Sequence, residues 1–399
     1  MIILHILLVL FVSAWTPARA AEFAVVTAAA NTSTGTQDFT VSGFGTPKCA
    51  LGWIGYGTAN GTAVDNAMLA FGGTDGTRSR TQSVLSEDNI AASDTGYRGD
   101  ATNFLTTQLS TDQSVNATAT FDSWITDGIR INWTDAPPSG YLVTIVLIGG
   151  TGVSNCYVNN ASAPGTVDTA TDVTDPGFEP DLVVTWGSGT GSITTDGSSM
   201  FSMGWALNDG SDTQRSYSFH DLSGANPTQN ALVLDENSVL RRAASGSGGS
   251  ELQIANFDAS GFDLFSRVSI VPTLVTNYMA IKFNGIAAHV RTWNSPTSTG
   301  DHTLTGVPWQ PQFGLMLHGT AITAGTAETD GDAEVFGISA FTASASSTSS
   351  ISGDDAVTPS NTESITDNKP VRLRNGNADF MTATMSGWTS DGVTFNYSA

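Results

Sequence analysis

Apolar positions in this chain come in short runs, cut by Gly, Asp, Asn, Ser and Thr, with a period of two wherever a period is visible. Phe39 and Val41 alternate with Thr40 and Ser42, the mark of a half-buried strand. Leu182-Val183-Val184-Thr185-Trp186 is almost wholly apolar, which predicts a strand buried on both faces. A small-residue strand follows at Ala67 to Gly72, Met200 to Trp205 and Ala333 to Ile338. After it comes a Ser/Thr/Arg-rich stretch, read as shorter strands with long loops. Each pattern closes on a hairpin with Asp127-Gly128, Ser260-Gly261 or Asp391-Gly392 at its turn, residues that tolerate positive φ. No Ala/Leu/Glu/Lys-rich stretch long enough for a sizeable helix is present.

These patterns recur with a fixed spacing. Pro47, Pro180 and Pro311 open equivalent strands 133 and 131 residues apart, and Gly128, Gly261 and Gly392 repeat the same two intervals. Two landmarks with one period make the chain a tandem array. Its predicted fold is all-β: three antiparallel β-sandwiches, jelly-roll-like, spanning 21–152, 153–285 and 286–399 after a leader at 1–20. A Ser/Gly loop from Ser245 to Ser250 belongs to the second. An apolar closing strand completes the first unit (Tyr141 to Gly150) and the second (Tyr278 to Gly285). Only seven residues follow Gly392, so the third unit reads as C-terminally truncated, the other reading being a strand supplied from elsewhere.

The leader is the apolar run from Ile2 to Val12 followed by Ala18-Arg19-Ala20, which reads as a secretory signal cleaved after Ala20 and places the mature chain outside the cytoplasm with no membrane span. The two cysteines, Cys49 and Cys156, have no counterparts in the other repeats. Two buried thiols are expected, because free Cys packs as a small hydrophobe. A Cys49–Cys156 disulfide fastening the entry of the second unit to the first is the alternative that export permits. A net charge of −22, from 37 acidic and 15 basic residues, repels nucleic acid and anionic lipid and makes both poor candidate partners. Most of these acids sit in turns. The nearest approach to a calcium loop, Asp330 to Glu334, lacks the glycine and the distal glutamate of that motif. No metal, cofactor or catalytic residue is predicted.

The five histidines share no spacing that unites two of them, and no phosphate loop, Cys-x-x-Cys or Gly-x-Ser-x-Gly occurs. Every domain is a copy of its neighbour, which argues against an enzyme. The aromatics carry more. Trp53 and Trp186, and Phe44, Phe178 and Trp309 before the prolines, occupy matching points and read as core. Trp124 and Trp388 sit instead in hairpins three residues longer than that of the second unit. They are the candidate ligand-binding residues, carried out on loop tips where an indole stacks on a sugar ring or a partner surface.

At these residues the chain resembles repeat domains of tailed-phage and prophage virion proteins. Their Gly-Phe-x-Pro-Lys element is matched by Gly43-Phe44 through Lys48 with one inserted residue. Their Ser-Phe-Asp-x-Asp-Gly-Phe element is matched by Asn256 to Phe262, and their closing strand by Tyr141 to Gly150. The resemblance covers all three units and implies a virion-surface or host-attachment role, with other virion or cell-surface proteins as partners and no catalytic residues to carry over. The export signal departs from that family and points to a secreted adhesin. The function expected is that of a non-enzymatic structural and adhesive surface protein, the alternative being an array of carbohydrate-binding modules that uses the loop tryptophans on glycans.

Overall fold

The computed structural model describes residues 6–14, 22–187, 198–211, 213–241, 250–268, 275–320, 333–375 and 378–398. The expected cleavage point after Ala20, most of the Ser245 to Ser250 loop and residues 330–332 lie outside them. The described residues are all-β, in six antiparallel sheets that pair into three sandwiches.

Each sandwich has a long inner sheet. In the first its strand order is Phe23–Ala29, Leu142–Gly149, Pro47–Gly55, Ala67–Thr74, Ser79–Ser86, Thr95–Asp100. The second repeats that order with Val153–Ser162, Val275–Phe283, Leu182–Gly187, Ser198–Leu207, Gln214–Leu222 and Asn230–Asp235. In the third, Ile286–Asn294 is followed by Ile6–Ala14, then Phe313–Gly319, Ala333–Thr342, Ser346–Asp354 and Thr362–Asp367. A short strand of the first unit, Thr62–Asp65, adds to the edge of this last sheet. The third unit's closing strand is therefore present, supplied from the other end of the chain. The apolar run read as the core of an export signal is here an inner strand.

Its register matches the other two. Leu10 faces Leu315 and Val290, as Val146 faces Leu51 and Val25, and as Met279 faces Val184 and Val158. All nine of these side chains belong to a single apolar cluster. The central strands of the inner sheets are largely apolar because their two faces serve two cores. Cys49, Leu51 and Trp53 enter the shared cluster while Ala50 and Ile54 enter the first sandwich. Leu182, Val184 and Trp186 enter the shared cluster while Val183 enters the second sandwich. Phe313, Leu315 and Leu317 do the same against Met316 in the third. Three sheets thus meet face to face around one centre, and a four-stranded outer sheet covers each from outside.

Trp53 and Trp186 are fully buried, as expected, and so is Phe44, whereas Phe178 and Trp309 are only half-buried. The Ser/Thr-rich stretch departs from expectation. Ser346–Asp354 is a nine-residue strand and almost wholly buried. Its hydroxyls are satisfied across the sheet, Thr348 with His318 (3.2 Å) and Ser349 with Thr366 (3.0 Å), so burial costs little. The repeated hairpin glycines also have a different reason from the turn chemistry. A Cβ on Gly128, Gly261 or Gly392 would overlap the carbonyl oxygen of Phe39, Val173 or Leu304 on the adjoining strand. Close backbone approach, not positive φ, requires glycine there.

Candidate functional site

The units are joined head to tail, and three seams result. At the seam between first and second, Cys49 and Cys156 form a disulfide, correcting the expectation of two free thiols. The two cysteines are 107 residues apart in sequence, and folding sets their Cα atoms 6.2 Å from each other. The turn after Ala67–Thr74 plugs the same seam. Asp75 accepts a hydrogen bond from the Val158 amide (3.0 Å), and the Arg78 guanidinium lies 4.3 Å over the Tyr157 ring. Arg80 then donates to Asn160 (3.0 Å) and Asn159 (2.5 Å).

The seam between third and first units has none of this filling. Ala24, opposite Leu147, stands where Tyr157 stands opposite Ala280. The facing turn reads Thr342-Ala343-Ser344-Ala345, with no arginine. Small residues on both sides leave a cavity of about 360 Å³, floored by Phe23, Val25 and Phe313 and walled by Trp388. It continues past the same turn into a more polar hollow of about 480 Å³ that Asn368, Lys369 and Met385 line. The two share Val25 and the Thr342 to Ala345 turn as walls, with Trp388 lining one and Lys369 the other.

Trp388 is at the aromatic end because the long hairpin folds inward. Its ring stacks on Phe341 at 5.6 Å and meets Phe11 edge-on at 6.1 Å. The indole N–H is buried without a hydrogen-bond partner. Trp124, its counterpart in the first unit, packs edge-on against Phe121 at 4.7 Å and over Gly76, and lines a shallower hollow with Lys48 and Tyr157. Both tryptophans are half-buried. The expectation of exposed loop tips is corrected accordingly: the hairpins bend onto the seams, since a bare indole gains more by covering apolar surface than by facing water. The structure does not bring Trp124 and Trp388 together, and each serves its own seam.

At the opposite end of the strands the units interlock through acids that sequence reasoning did not single out. Ser86 of the first unit donates to Asp221 of the second. The Asn230 amide of the second donates to Asp355 of the third (2.9 Å), and the Thr362 amide of the third donates to Asp88 of the first (2.8 Å). Spacing hinted at this ring, because Asp88 and Asp221 are one period apart. Burial pushes the Asp221 carboxyl up to about 7, against the Ser86 hydrogen bond and with help from the nearby Asp355 charge. Its second oxygen has no hydrogen-bond partner.

The folded chain holds the Asp221 proton up to about pH 7, whereas the unfolded chain releases it near the ordinary 3.8. Between those values the native state binds more protons than the unfolded state, so this group's contribution falls as pH rises and is flat above. Asp221→Asn removes that dependence. Denaturant melts across pH 4–8 should show the variant gaining on wild type by up to about 1.4 kcal/mol per pH unit until neutrality, then holding level. A constant difference across the range would show that the site does not titrate.

One acidic group with metal-ligand spacing occurs among the described residues, Asp172, Asp258 and Asp263 on the outer sheet of the second unit. Asp258 already accepts from the Ser260 and Gly261 amides at 2.7 and 2.8 Å and so serves the turn, while Asp172 and Asp263 face each other across paired strands. No protein-family model, curated protein or solved structure matches the chain.

Proposed function

We propose that the chain is a non-enzymatic structural and adhesive protein that holds three β-sandwiches as one rigid body on a virion or cell exterior, for attachment. The observation that carries this reading is the shared apolar cluster, in which all three inner sheets bury one face. A body assembled that way presents its three outer sheets and their loops as a fixed surface and leaves little freedom between units. The disulfide suits an oxidising exterior. The acidic composition suits solubility there and weighs against nucleic acid as partner. Among the described residues no helix is long and apolar enough to cross a membrane.

Trp388 favours a second reading, glycan binding at the hollow seam, because an aromatic wall beside a polar hollow is how proteins take up sugars. One experiment serves both. Labelled protein is applied to intact bacterial cells and to a glycan array, alongside Trp388→Ala. Attachment through the outer surface predicts saturable cell binding that Trp388→Ala leaves intact. Glycan capture predicts array binding that the substitution abolishes. Binding to neither surface overturns the attachment reading.

A further inference from the structure

The Ile6–Ala14 strand is separated by more than 270 residues from both strands it pairs with. Ile286–Asn294 and Phe313–Gly319 do not pair with each other. Each hydrogen-bonds to opposite edges of Ile6–Ala14, so the third unit contains a slot one strand wide. In the other two units the corresponding strand is part of the local chain.

Opposite the bulkiest residue of the strand the slot carries a glycine, over which the Phe341 ring packs. Phe11 faces Gly314, whereas the equivalent pairs are Leu147 with Ala50 and Ala280 with Val183. The largest closing-strand residue thus lies opposite the smallest acceptor residue. Phe11 is fully buried and meets Trp293 edge-on at 5.3 Å. Leu10 and Val12 point the other way into the shared core. The Gln312 amide, just before the acceptor strand, donates to the Val12 carbonyl at 2.9 Å. Ala14 faces Ile286, and the Ile286 and Glu22 side chains both lie against Gly152.

We propose that the third unit is a strand-acceptor site, and that its occupant is the chain's own N-terminal segment, bound as a separable antiparallel strand recognised by a bulky apolar residue opposite Gly314. Cleavage after Ala20 would leave that strand held by its pairing alone and convert a closed molecule into one that can exchange it for an apolar strand in trans by edge pairing. This does not depend on the attachment reading.

The test uses the full chain with a protease site inserted in the 15–21 stretch, cut after folding. The released N-terminal fragment should co-elute with the body in size-exclusion chromatography. After denaturation and separation, the refolded body should bind a lysine-tagged peptide of residues 6–14 in 1:1 ratio. The same peptide with Phe11→Asp should bind on the order of 100-fold more weakly, because it buries an unpaired charge. If the body alone does not refold, the peptide is supplied during refolding and recovery of the complex is the readout. Release of the fragment on cutting with no change in melting temperature overturns the proposal, as does equal binding of the Phe11→Asp peptide. A full chain that runs as an obligate dimer, exchanging labelled strands between copies, overturns the assignment to the chain's own segment.

Discussion

Replacing Cys49 and Cys156 together by alanine lowers the stability of the protein by about 4–5 kcal/mol. The bridge closes a loop of 107 residues, and the chain-entropy relation gives a stabilisation of that order for a loop so long. The fold should survive the change, because the two other seams are held at the equivalent positions by packing alone. There Phe23 stacks on Phe313 at 4.6 Å, and Leu182 shares the core with Ala288. Guanidinium melts of the double variant beside wild type, with and without reductant, read the effect directly. Wild type should lose the same amount on reduction, and the variant should be indifferent to it. A variant as stable as wild type would mean that the cysteines do not pair in solution.

Trp186→Ala costs about 3–5 kcal/mol, the range for removing a fully buried large aromatic side chain. Trp186 is 0% exposed and belongs to the second unit, yet it meets Phe71 of the first edge-on at 5.3 Å. Phe201, also of the second unit, in turn meets Phe336 of the third at 5.4 Å. Damage at Trp186 should therefore lower the melting of all three units together, in one transition. A double-mutant cycle with Phe71→Leu should show coupling of about 0.5–1.5 kcal/mol beyond additivity. Calorimetry that instead resolves a shifted second unit and two unmoved ones would remove the shared core from the account, and with it the rigid body on which the proposed function stands.

Much of the fold could be read from single residues. Phe39 and Val41 alternate with polar neighbours in the sequence, and in the structure Phe39 is buried on an outer strand. Leu182 to Trp186, apolar at all but Thr185, is buried on both faces. The hairpin glycines marked the turns correctly, though the carbonyl of a third strand, invisible in a local pattern, is what excludes a side chain there. The candidate site was harder. Trp388 stood out as a residue, but its surroundings come from Ala24 and the Thr342 to Ala345 turn, more than 300 positions apart in the chain. The Asp88, Asp221 and Asp355 ring was hidden among turn acids, because whether a carboxyl is solvated or buried is set by which loops meet over it.

By itself the sequence determined the strand periodicity, the repeat interval and therefore the sandwich, since these depend on side-chain spacing within a few residues or on copying of one unit. Three matters were left to the tertiary structure. An apolar run such as Ile6 to Val12 suits an export signal and a doubly buried strand equally, and its place between Ile286–Asn294 and Phe313–Gly319 follows only from the tertiary structure. Cys49 and Cys156 are partners because two sheets face each other, not because of their interval. The seams differ because each is formed by residues of two units, whose sizes add only when the units meet.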